Sequence, residues 1–226
     1  AGNESLAMEL VGTELARWFG LKTPNFSIIQ VANIDIPLHH YGMMQLGPAF
    51  ISQELKGITA DGSAGLLSKL NNPDDIGKLV VFDTWIRNED RFPPEGLNQE
   101  DERGGRDNIF FAPNGGKFDL VAIDHTHCFV EGLLEDAASQ DHIVNQIVSD
   151  DRIFGFFPEF TDYVNKSSIR AAIKDLSSID SGKINEIVTS IPANWQVTGH
   201  TRQVWINIIL KRAAYVCGHI ESKLFP

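Results

Sequence analysis

Residues 108–123 read NIFFAPNGGKFDLVAI. Two apolar runs, 108–112 and 118–123, flank an Asn-Gly-Gly that supplies the positive φ angles of a tight hairpin. This antiparallel pair constrains the fold most, because the sequence on both sides of it is helical in pattern. Residues 3–19 carry Leu6, Leu10, Leu15 and Trp18 near helical spacing, with Asn3 as a cap and Gly20 as the stop. FSIIQV (26–31) reads as a strand, HHYGMMQL (39–46) as its antiparallel partner, and 47–64 as a Gly-rich loop. A helix is expected from residue 73, where Pro73, Asp74 and Asp75 suit a helix start. Further helices are expected over 140–148, 166–176, 181–189 and 199–222. The order is therefore helix, hairpin, loop, helix, long loop, hairpin, helical bundle. That is an α+β layout, and it excludes a doubly wound sheet or a TIM barrel.

The net charge of −11 argues against a general nucleic-acid surface. No apolar run reaches the roughly 18–20 residues of a membrane span. Cys128 and Cys217, the two cysteines, are too few for a disulfide framework and suit a reducing, cytoplasmic setting. The chain opens inside a helix with no initiator Met and no secretory leader, so a piece of a longer protein is expected.

The chemistry gathers around VFDTWIRNEDR (81–91), a buried-helix pattern that ends in Asn88, Glu89, Asp90 and Arg91. Asp90 ends a helix, Asn108 opens one hairpin strand and Asp124 closes the other. Each lies beside apolar sequence, where a charge or an amide is costly without partners. The hairpin brings Asn108 and Asp124 together as an amide oxygen and a carboxylate, a hard-oxygen pair suited to Mg²⁺. With a second Asp to orient a hydroxyl, the set matches the needs of phosphoryl transfer.

The segments FDTWIRNEDR, DNIFF and LVAIDHTHCF resemble HipA-like kinases and, more distantly, the phosphatidylinositol 3/4-kinases of the protein-kinase-like superfamily. GNESLAMELVGTELARWFGLKTPNFSIIQV, FGFFPEF (154–160), IPANW (191–195) and the last, Arg-containing helix extend the resemblance over nearly the whole chain. The resemblance implies a two-lobed fold, with the rest of an N-lobe in 1–46 and a mostly helical C-lobe in 47–226. It implies ATP and Mg²⁺ as cofactors and transfer of the γ-phosphate to a hydroxyl, with a protein Ser/Thr as acceptor. Asp90 takes the place of the catalytic Asp, and Arg91 sits beside it, pairing with an acidic group or phosphate. Asn108 and Asp124 take the metal-binding places. Glu9, with Glu4 and Glu14 as alternatives, takes that of the helix carboxylate that pairs with the nucleotide-binding Lys. Met44, Gln45 and Leu46 are placed at the adenine-binding hinge.

The sequence also departs from the family pattern. Asn108 follows Asp90 by eighteen residues where the kinase template has about five, so FPPEGLNQEDERGG must loop out. Asn98 is nearer but has no strand after it, and Phe92 stands where His is familiar. The strands that precede the first helix in the family, with the phosphate-covering loop and the Lys, are not in this sequence. DGSAG (61–65) lacks the strand and helix context of a phosphate loop. A kinase-like binding module without turnover is the alternative these departures favour. A zinc site at DHTH (124–127), with His125 and His127 on one face of a strand, is a third reading. Trp195 and Trp205 are expected in the core, and Arg202, Lys211 and Arg212 on a solvated helix face.

Overall fold

The computed structural model describes residues 3–32, 37–38, 42–43, 46–60, 62, 64–91, 105–130 and 132–226. Helix α1 (Asn3–Trp18) buries Leu10, Val11 and Leu15, and it includes Asn3 rather than being capped by it. It stops at Gly20, where Leu21 N donates to Ala16 O at 2.9 Å and Gly20 N to Arg17 O at 3.0 Å. That pair of bonds satisfies two carbonyls of the last helical turn.

Strand β1 (Phe26–Val31) follows, then the short pair β2 (Pro37–Leu38) and β3 (Gly42–Met43), which bond to each other. The partner of β1 is β4 (Gly47–Ser52), in register Phe26↔Ser52 to Val31↔Gly47. This corrects two expectations, the partner at 39–46 and the loop from 47. Gly47 and Pro48 open the strand and make it read as loop, yet tertiary contacts hold it. The Phe26 and Phe50 rings stack at 5.1 Å, and Trp195 Nε1 donates to Pro48 O at 2.9 Å. Residues 39–41, 44, 45, 61 and 63 lie outside the described residues.

Strand β5 (Ile58–Thr59), the short α2 (Ala64–Leu67) and the central helix α3 (Asp75–Ile86) come next. Helix α3 buries every residue from Leu79 to Ile86, Asp83 and Thr84 included, and packs between α6 and α8. After it come β6 (Ile109–Asn114) and β7 (Lys117–Ala122), paired from Ile109↔Ala122 to Asn114↔Lys117. Gly115 and Gly116 form the two-residue turn with φ of 60° and 81°, a conformation in which a Cβ would be strained. Helices α4 (Leu134–Ala138), α5 (Asp141–Val148), α6 (Lys166–Leu176), α7 (Ser181–Thr189) and α8 (Gly199–Leu224) complete the α+β architecture. Among the described residues no helix is long and apolar enough to cross a membrane.

Trp195 and Trp205 lie in the core as expected, and Cys128 and Cys217 are free thiols. Arg212 corrects the solvated-face reading, because it is fully buried. Its guanidinium donates to Thr84 O, to Trp85 O at 2.9 Å and to Ile147 O at 2.6 Å. A cation of α8 thereby caps the C-terminal ends of α3 and α5, where partial negative charge accumulates.

Beside it, Asp150 accepts from Arg87 Nε at 2.7 Å and from Arg152 Nη2 at 2.6 Å. Burial pushes this carboxyl up, but the bonds and charges of the two guanidinium groups outweigh it and hold the pKa at about 2. The folded state therefore favours ionised Asp150. Its contribution, about 2 kcal/mol by linkage from an unperturbed value near 4, is present above pH ~4 and lost as pH falls toward 2. The stability gap between wild type and Asp150→Asn, measured by urea unfolding, is expected to narrow as pH falls from 7 to 3. A gap that stays constant counts against the ion pairs as its source.

Candidate active site

The site begins with a carboxylate inside an apolar helix. Asp83 on α3 has no access to water, and the chain must return a cation to it. Helix α3 ends at Arg87 in the left-handed region (φ 51°), and the next four residues carry Arg91 back to Asp83. Arg91 Nη1 meets Asp83 Oδ1 at 3.0 Å, with both side chains fully buried. Burial pushes the Asp83 pKa up to about 6, with the Arg91 charge and hydrogen bonds from Asn88 and Arg91 opposing the rise.

Arg91 also reaches across to the end of β7. Its Nη2 donates to Ile123 O and, at 3.3 Å, to Asp124 O. Asn88 Nδ2 donates to Asp124 O at 3.4 Å, and Glu89 N to His127 O at 3.1 Å. The loop after α3 therefore carries the turn 124–127 on a ladder of backbone contacts. Asp124 itself has φ 56°, uncommon for a residue other than glycine. Its Oδ1 accepts from Thr126 Oγ1 at 2.7 Å and Thr126 N at 3.3 Å, which fixes the carboxylate in a local turn.

Helix α1 holds the same turn from the other side. Glu9 Oε2 accepts from His125 N, and Glu9 Oε1 accepts from Thr13 Oγ1 at 3.2 Å. Thr13 Oγ1 lies 3.2 Å from His125 Nδ1. Gly12 permits this approach, since a Cβ there would lie 2.4 Å from the His125 Cβ. Burial raises the Glu9 pKa, but the hydrogen bonds and charge of His125 and the Thr13 hydroxyl outweigh it, and the carboxyl sits below its usual range. The His125 pKa is pushed down, chiefly by burial and also by the Arg91 charge, with Glu9 opposing the shift.

Asp90 stands at the edge of this assembly, about one-third exposed, with Oδ2 2.6 Å from Nδ1 of the exposed His127. Asn108 ends a single turn of 3-10 helix (Arg106–Asn108) that Arg106 ties to Glu159 at 2.7 Å. Its Nδ2 donates to Asp90 O at 3.4 Å. Eighteen residues of sequence thus close on one hydrogen bond, while Asn98, Phe92 and the rest of 92–104 lie outside the described residues.

A cavity of about 270 Å³ opens on this cluster, lined by Glu9, Thr13, Phe26, Phe50, Phe110 and Asp124, and by Ser52–Leu55 at the end of β4. Leu46, expected at the hinge, does not line this cavity. It is 68% exposed at the start of β4, whereas the cavity meets the far end of that strand. Six residues of strand span roughly 17–20 Å, so one strand cannot present both ends to one cavity. Met44 and Gln45 lie outside the described residues. Glu14, the third carboxylate of α1, is not on the lining, and Glu4 accepts from Leu134 N at 2.7 Å at the start of α4. The zinc reading fails as well. Residues 124–127 form a turn and not a strand, with His125 buried and His127 exposed. Among the described residues no group of three or more His, Cys, Asp or Glu is placed to hold a metal.

Sequence reasoning did not single out Asp83, Asn88, Thr13 or Gly12. The signal for Asp83 was present, a charge in the middle of an apolar helix. The others act only through contacts between distant segments.

The fold resembles that of a kinase of known structure, the Helicobacter pylori proinflammatory kinase CtkA, with TM-score 0.61 and 12% sequence identity over 98% of this chain and 87% of that one. The family description "HipA-like kinase" matches residues 1–225, and the chain belongs to that family. No curated protein matches it in sequence.

Proposed function

We propose that this kinase-like protein transfers the γ-phosphate of ATP to a hydroxyl, with a protein Ser/Thr as the acceptor class and the cytoplasm as its setting. The observation that supports this reading is a chain of contacts, Asn108 to the Asp90 carbonyl and Asp90 to His127 of the 124–127 turn, beside an aromatic-walled cavity that Asp124 lines. Asp90 orients the acceptor hydroxyl and accepts its hydrogen bond. The buried Arg91 acts through others, because it fixes the backbone on which both Asp90 and Asp124 stand. Glu9 holds the 124–127 turn against α1. The chain at Gln53–Leu55, on the cavity wall, is better placed than Leu46 to meet the nucleotide base.

The donors fit Mg²⁺. Asn108 uses its amide nitrogen on Asp90 O and Asp124 uses Oδ1 on Thr126. The Asn108 Oδ1 and Asp124 Oδ2 atoms carry no hydrogen bond among the described residues, and hard oxygens of this kind suit the ion. Bound there, the metal would neutralise phosphate charge. The protein's own part is position and a fixed electrostatic environment.

One observation favours a binding module without turnover. Among the described residues the cavity is lined by Glu9, Glu54 and Asp124, and by no Lys or Arg that would face phosphate. The deciding experiment is Mg²⁺-dependent ATP binding, by calorimetry, with protein expressed from the complete reading frame. Asp124→Ala is expected to weaken binding about ten-fold or more with Mg²⁺ present and little without it. Equal affinity of wild type and variant in Mg²⁺ removes Asp124 from the metal site. Binding without phosphate transfer supports the module.

A further inference from the structure

A second, larger cavity, about 680 Å³, opens on the other side of the 124–127 turn. Its volume lies within the roughly 300–1,000 Å³ of ligand sites. Glu4, Met8, Glu89, His127, Glu135 and Trp195 are among its lining residues. Two observations connect it to the reacting centre. His127 both lines the cavity and contacts Asp90 at 2.6 Å, and Glu89 precedes Asp90 in the chain. Asp124 faces the first cavity, and Thr126 and His127 face the second. Asp90 itself lines neither cavity, and His127 links its carboxylate to the wall of the second.

The second chamber has a definite chemistry. Its lining holds three glutamates and, among the described residues, no Lys or Arg. Glu89 is offset by Arg152 at 3.1 Å. Glu4 bonds to the backbone N–H groups of Leu134 and Glu135, and Glu135 to the hydroxyl of Thr201. Those neutral donors orient the two carboxylates without neutralising them. Met8, Val130, Leu133 and Trp195 supply apolar wall between the charges.

We infer that this chamber binds the phosphoacceptor as a peptide segment, its Ser or Thr flanked by Lys or Arg that face Glu4 and Glu135. The inference rests on the kinase reading and names its substrate class. Opposite charge favours encounter with a basic segment and disfavours an acidic one. The acceptor hydroxyl reaches Asp90 from the His127 side, opposite the nucleotide.

The test uses protein from the complete reading frame, γ-labelled ATP and a panel of Ser/Thr peptides with basic, neutral or acidic flanks. Wild type is compared with Glu4→Gln/Glu135→Gln, in which each amide keeps one of the two acceptor oxygens. Thermal melting and MgATP affinity are measured in parallel. The expected result is a preference for basic flanks that falls about ten-fold in the double variant, mostly through KM, with MgATP affinity unchanged. Indifference to flank charge, preference for acidic flanks, or a preference that survives the double substitution overturns the inference. MgATP binding and turnover with no peptide labelled also overturns it and leaves the kinase reading standing. Absence of MgATP binding removes both.

Discussion

Asp90→Ala is expected to lower phosphate transfer by about 10²–10⁴-fold, the range for loss of a positioned acid–base group. It should leave the fold in place. The Asp90 carboxylate is about one-third exposed, and its partner is the more exposed His127. An exposed polar contact of this kind contributes roughly 0–1 kcal/mol. The backbone carbonyl that receives Asn108 is untouched by the substitution. Initial rates with labelled ATP, read beside a thermal melt, separate the two effects. Full activity in Asp90→Ala would end the assignment of this residue to the transfer step. A variant that loses activity and stability together would place Asp90 in the scaffold.

Arg91→Ala is expected to have the largest effect on stability, about 3–5 kcal/mol, because it leaves Asp83 in the core without its counter-charge. The pH dependence follows from Asp83, whose pKa burial has already raised to about 6. A carboxyl with a raised folded-state value takes up a proton more readily in the folded chain than in the unfolded one. The folded state thus loses stability as pH rises from about 4 through the folded value. Without Arg91 that value climbs further, so the cost of Arg91→Ala should be larger at pH 8 than at pH 5. Urea unfolding at the two pH values measures it. The double change Asp83→Asn/Arg91→Met should recover most of the loss, since both charges go together. It should not recover activity, because the bonds from Arg91 to Ile123 O and Asp124 O go with it. Equal losses at both pH values would show that Asp83 is not the group left uncompensated.

These two residues were adjacent in the sequence reading and are separated by the structure. Both were singled out at the end of an apolar run, but only one faces solvent. In VFDTWIRNEDR the pattern signals a buried helix and a polar ending, and the same letters serve a charge that orients substrate and a charge that fills the core. Burial distinguishes them, and burial depends on what α6, α8 and β7 bring to α3. The N-terminal region shows the same limit. Gly47 and Pro48 carry local loop signals, and pairing with β1 and the Trp195 contact override them.

Other parts were legible because their causes are local. Helices α6 and α7 begin and end where periodicity and caps put them, with Asn165 and Asp180 each accepting backbone N–H bonds at the first turn. The Asn-Gly-Gly turn sets the β6–β7 register, and that register alone sets Asn108 next to the end of β7 and near Asp124. The hairpin and the longer helices were therefore determined by the sequence itself, since turn geometry and 3.6-residue periodicity act over a few residues. Only the tertiary structure decided that Arg91 neutralises Asp83, that Glu9 and Gly12 hold His125, and that His127 joins Asp90 to the wall of the second cavity. Each of those joins segments 8 to 116 residues apart, through close packing and the need of every buried charge for a partner.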